Sequence, residues 1–192
     1  MPDPNPAALD FLRTRRSRPA KTLKGPAPTD DELRPLLEAA ARTPDHGKLE
    51  PWRFIVIEKA AMPRLAELAQ NRGEALGLDA EQITKGRAQF DQGHLAVAVI
   101  ESPKPSDKIP VIEQTYSAGA VCLALLNAAL AAGWGANWLS GWPSHDRDFM
   151  TQALDLAAHE RIAGLIHIAT ETSTPPDRPR PDVAAITTKI TR

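Results

Sequence analysis

Residues 111–142 read VIEQTYSAGAVCLALLNAALAAGWGANWLSGW. The part from Ile109 to Ala132 is rich in Ala and Leu, and it predicts the longest helix of the chain. Gly133 lies just past its end, where a glycine commonly terminates a helix. The short aromatic run Trp134–Leu139 then favours a strand. We expect this helix to be the central one of the fold.

Helical and strand patterns alternate before this segment. Strands are predicted at the apolar runs Trp52–Ile57 and His94–Glu101. Helices are predicted at Pro4–Thr14, from a capping box at Thr29 and Glu32 up to Arg42, and over Met62–Asp91, with an irregular join where Gly73, Gly77 and Gly86 interrupt the pattern. The order of elements predicts a fold that mixes α and β structure.

The segment after residue 142 predicts one more helix and one more strand. Ser144 can cap a helix through about Leu156, and Ile162–Ala169 has the pattern of a final strand. The tail Ser173–Pro181 is too rich in proline for a helix or an inner strand, and apolar residues at 183–186 follow it. Such a tail wraps over its own domain or over a second subunit, and the sequence alone leaves both open.

Size and composition favour one domain that binds a small ligand. A chain of 192 residues can form one core, so we expect residues 1–192 to be a single domain. Because 23 Lys and Arg residues oppose 24 Asp and Glu residues, there is no basic excess for nucleic acid or a membrane surface. We see no secretory signal and no apolar run approaching the roughly 20 residues of a membrane span, so a cytoplasmic location is expected.

Cysteine and histidine usage argues against disulfides and metal sites. Cys122 is the only cysteine, which excludes an intrachain disulfide, and its apolar neighbours predict a buried, inert thiol. The histidines at 94, 145, 159 and 167 are scattered singly, without the spacing of a metal-binding motif. We therefore predict no metal site.

Arg15-Arg16-Ser17-Arg18 is a candidate phosphate site. Guanidinium groups bind phosphate bidentately, and a serine hydroxyl adds a neutral donor. The alternative is a solvated basic cluster, which charge runs usually are.

The loop from Arg42 to Trp52 concentrates polar groups before a strand, as functional loops often do. The alternatives are a hydrogen-bonded His46, a solvated Lys48, a turn-stabilising Asp45 and a core Trp52.

Residues 133–142 combine three glycines with three tryptophans, so a planar ligand could approach the backbone closely there. The alternative is a turn with core tryptophans. The segment has no P-loop, no dinucleotide-binding glycine motif and no Gly-x-Ser-x-Gly elbow, which disfavours the common nucleotide folds and hydrolases.

Together, three segments resemble the nitroreductase family: the early Arg-Arg-Ser-x-Arg, the loop ending in Pro51-Trp52-Arg53-Phe54, and the Gly-x-Gly-x-x-Trp turn after the long helix. Pro44-Asp45-His46 and the short length are most similar to its compact YdjA-type branch. The resemblance implies an α+β fold with a mainly antiparallel central sheet flanked by helices. It also implies a homodimer with FMN at each subunit interface and a C-terminal extension that reaches the partner subunit.

The resemblance also assigns residues. FMN phosphate and ribityl contacts fall on Arg15, Arg16 and Ser17, further cofactor contacts on Arg42 and His46, and the turn that lines the flavin on Trp138, Leu139 and Ser140. A stretch associated with NAD(P) falls on Ala128, Ala129, Leu130, Ala131, Ala132 and Gly133. Many members carry Asn and Gln where this chain has Lys48 and Glu50. We therefore expect Lys48 to lie near the flavin and to stabilise its reduced anion.

The implied activity is hydride transfer from NAD(P)H to FMN, followed by reduction of a nitroaromatic, quinone or similar electron-poor acceptor in a ping-pong mechanism. The flavin carries this chemistry, so no catalytic side chain is expected. The alternative is a non-catalytic flavin-binding module of the same fold, for storage or sensing. A helical interaction protein without cofactor is a third possibility, and it predicts a colourless preparation.

Overall fold

A computed structural model describes residues 3–191 of the chain. The strands are β1 Leu23–Lys24, β2 Trp52–Glu58, β3 Leu95–Glu101, β4 Gly135–Leu139 and β5 Arg161–Glu171. The α-helices are α1 Pro6–Thr14, α2 Asp30–Ala40, α3 Met62–Ala75, α4 Ala80–Asp91, α5 Val111–Ala131 and α6 Arg147–Leu154. Short 3-10 turns connect several of these elements.

The strands form one antiparallel sheet around β5. β3 pairs with β5 on one edge and with β2 on the other, whereas β4 and β1 pair in succession along the opposite edge of β5. All seven residues of β3 are buried, as its continuous apolar run predicted. The predicted α+β class with a mainly antiparallel sheet is confirmed.

A hydrophobic core lies on each face of the sheet. One core packs α3, α4 and α6 against the sheet around Phe90 and Phe149, whose ring centroids are 5.4 Å apart. The other packs α2 and α5 against residues such as Val97, Val99 and Ile166. The sheet is thus covered on both sides. The prediction that α5 is the longest helix is confirmed, whereas its central position in the fold stays a prediction.

The predicted helix ends are partly right. At the start of α2, Thr29 and Glu32 form the expected capping box, and Gly133 has a φ of 88° just past α5. Ser144 was the wrong cap: the N-cap of α6 is Asp146, whose side chain accepts a hydrogen bond from the Phe149 amide, while Ser144 is buried in a preceding 3-10 turn. Of the three glycines expected to break Met62–Asp91, Gly77 alone lies in the join between α3 and α4.

By length and composition, α5 is apolar enough to span a membrane. The expectation that no segment approaches that length was therefore wrong by this criterion. Ala118, Val121 and Leu125 of α5 are fully buried within the protein, which is the arrangement of a core helix. Cys122 is buried beside them, and burial raises the pKa of its thiol to about 12, as the prediction of an inert cysteine requires.

Candidate functional site

The Arg15–Arg18 segment leaves α1 and runs along β4. The Arg18 amide donates to the carbonyl of Ala136 at 2.8 Å, and Asn137 Nδ2 donates back to the carbonyl of Arg18 at 2.8 Å. Arg18 Nε donates to Glu171 Oε2 at 2.7 Å, which ties the same segment to the end of β5. These bonds position the first candidate cluster beside the turn that follows α5.

The resulting cleft has a volume of about 430 Å³, and we name it the phosphate cleft after its predicted ligand. Its lining comes from three segments: Arg15, Arg16 and Ser17 after α1, Asn137 and Trp138 of β4, and Pro175, Arg178 and Arg180 of the tail. Two of the sequence-predicted groups, the Arg-Arg-Ser cluster and Trp138, therefore meet in one place.

The tail is held over this cleft by contacts with Arg16. Arg16 Nη1 donates to the carbonyl of Pro176 at 2.6 Å and to Asp177 Oδ1 at 2.9 Å. Arg180 Nη2 also donates to Asp177 Oδ1, at 3.1 Å. Asp177 thus neutralises part of the positive charge, and within this chain the tail covers its own subunit at this point.

Arg15 brings an unsatisfied donor atom to the cleft. Its Nη1 atom is buried and has no hydrogen-bond partner among residues 3–191. Burial lowers the pKa of Arg15, and the positive charges of Arg180 and Arg16 lower it further. Because a buried donor without a partner is costly, this arrangement favours binding of an anion.

The turn after β4 faces a second cavity, which lies against α4. It has a volume of about 360 Å³ and is lined by Leu139 of β4, by Ser140, Gly141 and Trp142 of the turn, and by α4; we name it the ring cavity after the flavin ring predicted to lie along this turn. Trp142 Nε1 donates to the carbonyl of Gln82 at 3.0 Å. A Cβ on Gly86 would lie 2.3 Å from that same nitrogen, so α4 packs closely on the indole. Leu139 and Ser140 are therefore adjacent to a cavity large enough for part of a ring system.

The loop residues Arg42, His46 and Lys48 lie on another surface. His46 Nδ1 is 2.6 Å from Glu113 Oε2 of α5, and the Glu50 amide donates to Asp45 Oδ2 at 2.6 Å, as a turn-stabilising aspartate would accept it. Arg42, His46 and Lys48 are all exposed. His46 lines an open pocket of about 520 Å³ that shares none of its lining residues with the phosphate cleft. One chain thus carries two separate groups of candidate residues.

Residues 128–133 form the last turn of α5 and its end. Ala129 is fully buried, Ala128 and Leu130 are half-buried, and 131–133 are exposed. Within this stretch, the exposed residues 131–133 are the ones whose side chains and backbone a dinucleotide could contact. That assignment stays a prediction.

Sequence reasoning left out Asn137, Arg178 and Arg180 of the phosphate cleft. The two arginines lie about 160 positions after the first cluster, so local spacing carries no signal for them. Their alternation with prolines in an otherwise polar tail was the available hint. Asn137 has a backbone-bonding role, which a single sequence does not reveal.

Comparison with known proteins identifies relatives of this chain in sequence and in fold. The sequence model of the Nitroreductase family matches residues 12–170. The chain is 33% identical over 163 residues to "Putative NAD(P)H nitroreductase YdjA" of Escherichia coli (strain K12), covering 85% of this chain and 87% of that protein. A nitroreductase-like family protein from Bacillus cereus has a similar fold, with a TM-score of 0.80, 22% identity, and coverage of 100% and 99%. A Desulfovibrio desulfuricans protein described as a "putative nitroreductase in complex with FMN" has a TM-score of 0.74 at 22% identity, with coverage of 98% and 99%.

Proposed function

This chain belongs to the nitroreductase family, and on that premise we propose that it is an FMN-dependent NAD(P)H oxidoreductase that works as a cytoplasmic homodimer. The relative from Escherichia coli is named as an NAD(P)H nitroreductase, and a structural neighbour was crystallised with FMN. Both names describe those proteins. The residues of this chain that could bind FMN support the same function here.

The phosphate cleft is the observation that carries the proposal. It offers a buried and unpartnered Arg15 Nη1 among the residues described, two tail arginines and the Ser17 hydroxyl to one anion. A phosphate monoester matches these donors in charge and in number of acceptor oxygens. The residues present therefore fit the phosphate of FMN.

When bound there, FMN would supply the hydride-transfer chemistry for a ping-pong reaction in which the enzyme oxidises NAD(P)H and reduces a nitroaromatic, a quinone or another electron-poor acceptor. Arg15, Arg178 and Arg180 would bind its phosphate and fix its position. The backbone of Leu139 and Ser140 would orient its ring beside the ring cavity. Lys48 would favour the anionic reduced form through its positive charge.

Exposed apolar surface supports the dimer. On α5, Val111 and Tyr116 are 55% and 68% exposed, and on α1, Leu9 and Leu12 are 57% and 56% exposed. Val183 and Ile186 of the tail are exposed as well. Exposed apolar side chains on these three elements could be covered by a second copy of the chain. In a dimer, Arg42, His46 and Lys48 of one subunit would complete the cleft of the other, and the last part of the tail would reach the partner.

Two measurements test the proposal. The first is colour and anaerobic reduction: the purified protein should be yellow, and NADH or NADPH should bleach its flavin absorbance rapidly. A flavin that stays oxidised would instead identify a flavin-binding module for storage or sensing. A protein that binds no FMN would overturn the proposal entirely.

The second measurement is sedimentation at micromolar concentration, which should give about twice 20.8 kDa. A monomer that retains FMN would contradict both the dimer and the shared site.

A further inference from the structure

The side-chain amide of Gln89 stands out in the ring cavity. Its Oε1 atom is buried and has no hydrogen-bond partner in the part of the chain that the structure describes. Gln89 lies on α4, a helix that packs extensively on α3, so its backbone is well fixed. A buried amide oxygen without a donor is unfavourable, so a donor group of a ligand in the cavity would stabilise it.

The turn after β4 keeps this amide in place. A Cβ on Gly141 would lie 2.5 Å from Gln89 Nε2, so the absence of a side chain at position 141 leaves room for the amide. Gly141 itself is fully extended, with φ −174° and ψ −178°, so its backbone does not require glycine. Glycine at this position therefore lets the Gln89 amide lie against the turn.

The ring cavity and the phosphate cleft are neighbours along one stretch of backbone. Asn137 and Trp138 line the cleft, and Leu139, Ser140 and Gly141 line the cavity. Four residues of extended chain span about 13 Å. A molecule with a phosphate in the cleft and a flexible linker could therefore present its ring to Gln89.

The chemistry of the amide favours the flavin over the electron acceptor of the proposed reaction. A buried oxygen acceptor needs a donor. Nitro groups and quinones offer acceptors, whereas the pyrimidine edge of a flavin presents an N3–H donor between two carbonyl oxygens. A glutamine amide matches that edge with one accepted and one donated hydrogen bond.

We propose that Gln89 binds the pyrimidine edge of the flavin, in place of the amides that the loop residues Lys48 and Glu50 lack. This inference rests on the proposed function, and it makes Gln89 a cofactor-binding residue that selects for the N3–H group.

The test compares FMN with 3-methyl-FMN, which keeps the phosphate and ring but has no N3–H. The wild-type protein should bind FMN about tenfold more tightly, the value of one or two neutral hydrogen bonds. The Gln89→Met variant should bind both compounds with similar affinity. Gln92→Met, an exposed glutamine at the end of the same helix, is the matched control and should keep the preference.

A second variant distinguishes the loss of the amide from a packing defect caused by Gln89→Met. Gln89→Glu keeps the size of the side chain but replaces the amide donor with a negative charge, so the reduction potential of bound FMN should fall below that of the wild type. Unchanged potential in Gln89→Glu, or a retained preference for FMN in Gln89→Met, overturns the assignment while leaving the enzyme proposal intact. A wild-type protein that binds neither compound overturns the enzyme proposal itself.

Discussion

Replacing Arg15 with alanine should weaken FMN binding without destabilising the apoprotein. A hydrogen bond between a charged donor and a phosphate oxygen contributes about 1.5–3 kcal/mol. Its loss corresponds to an increase of the dissociation constant by roughly 10- to 150-fold. The structure also predicts how the substitution affects the stability of the apoprotein. Without an anion, Arg15 is a half-buried cation near Arg16 and Arg180, and burial and these two charges lower its pKa. Its removal therefore relieves an unfavourable contact in the apoprotein.

Quenching of FMN fluorescence on binding gives the dissociation constant, and urea unfolding of the apoprotein gives the free energy of unfolding. Arg13→Ala, at an exposed position in the last turn of α1, is the matched control and should change neither. Riboflavin, which lacks the phosphate, should bind wild type and Arg15→Ala equally. Unchanged FMN affinity in Arg15→Ala would refute the phosphate assignment, and a marked loss of apoprotein stability would refute the electrostatic argument.

Three further predictions concern pH, potential and packing. His167 is buried, and burial lowers its pKa to about 4 from 6.5 in the unfolded chain. Below pH 6.5 the unfolded state therefore binds a proton that the folded state does not bind. Urea unfolding should show a free energy of unfolding about 2 kcal/mol lower at pH 5 than at pH 8 because of this group. His167→Leu should lack this difference, and equal pH dependence in both proteins would contradict it. Lys48→Gln should lower the two-electron potential of bound FMN by roughly 30 mV, about 1.4 kcal/mol; identical potentials in spectroelectrochemical titration would return Lys48 to the solvent. Gly86→Ala should destabilise the protein by about 1–3 kcal/mol, because the new Cβ meets Trp142 at 2.3 Å; a stabilised variant, as helix propensity alone would give, would show that the indole yields freely.

Local signals made much of the fold predictable. The capping box at Thr29, the continuous apolar run of β3 and the glycine after α5 each depend on neighbouring residues, so one sequence carries them in full. β1 escaped prediction because its two residues are defined only by pairing with Thr170 and Glu171 of β5. Contacts over such separations leave no local pattern.

The cap of α6 shows where local reasoning chose wrongly. Ser144 and Asp146 are both good capping residues, and sequence alone ranks them similarly. The structure selects Asp146 because Arg72 Nε donates to its carboxylate at 2.8 Å and holds the pKa of that carboxyl below its usual range. Ser144 is instead 2% exposed beneath the turn.

The residues of the candidate site also fall into those that local sequence predicted and those that it did not. The Arg15–Ser17 cluster was visible because its donors are adjacent in sequence. Arg178 joins it only through the path of the tail, and Gln89 lies on a helix whose pattern gives no reason to single it out. Residues that reach a site from distant segments require the fold itself.

The burial of β3 has a consequence for how ligands enter and leave. Both edges of this strand are hydrogen-bonded and all its side chains are inside, so its amide hydrogens can exchange with deuterium only through the largest opening events. β4, which contributes Asn137 and Trp138 to the site, pairs with β5, and β5 is hydrogen-bonded to β3 in the same protected ladder. The proline-rich cover is exposed along most of its length, and its amides should exchange first. Release of a bound phosphate compound then needs only a local opening of the cover. The sheet stays folded and can bind the next molecule.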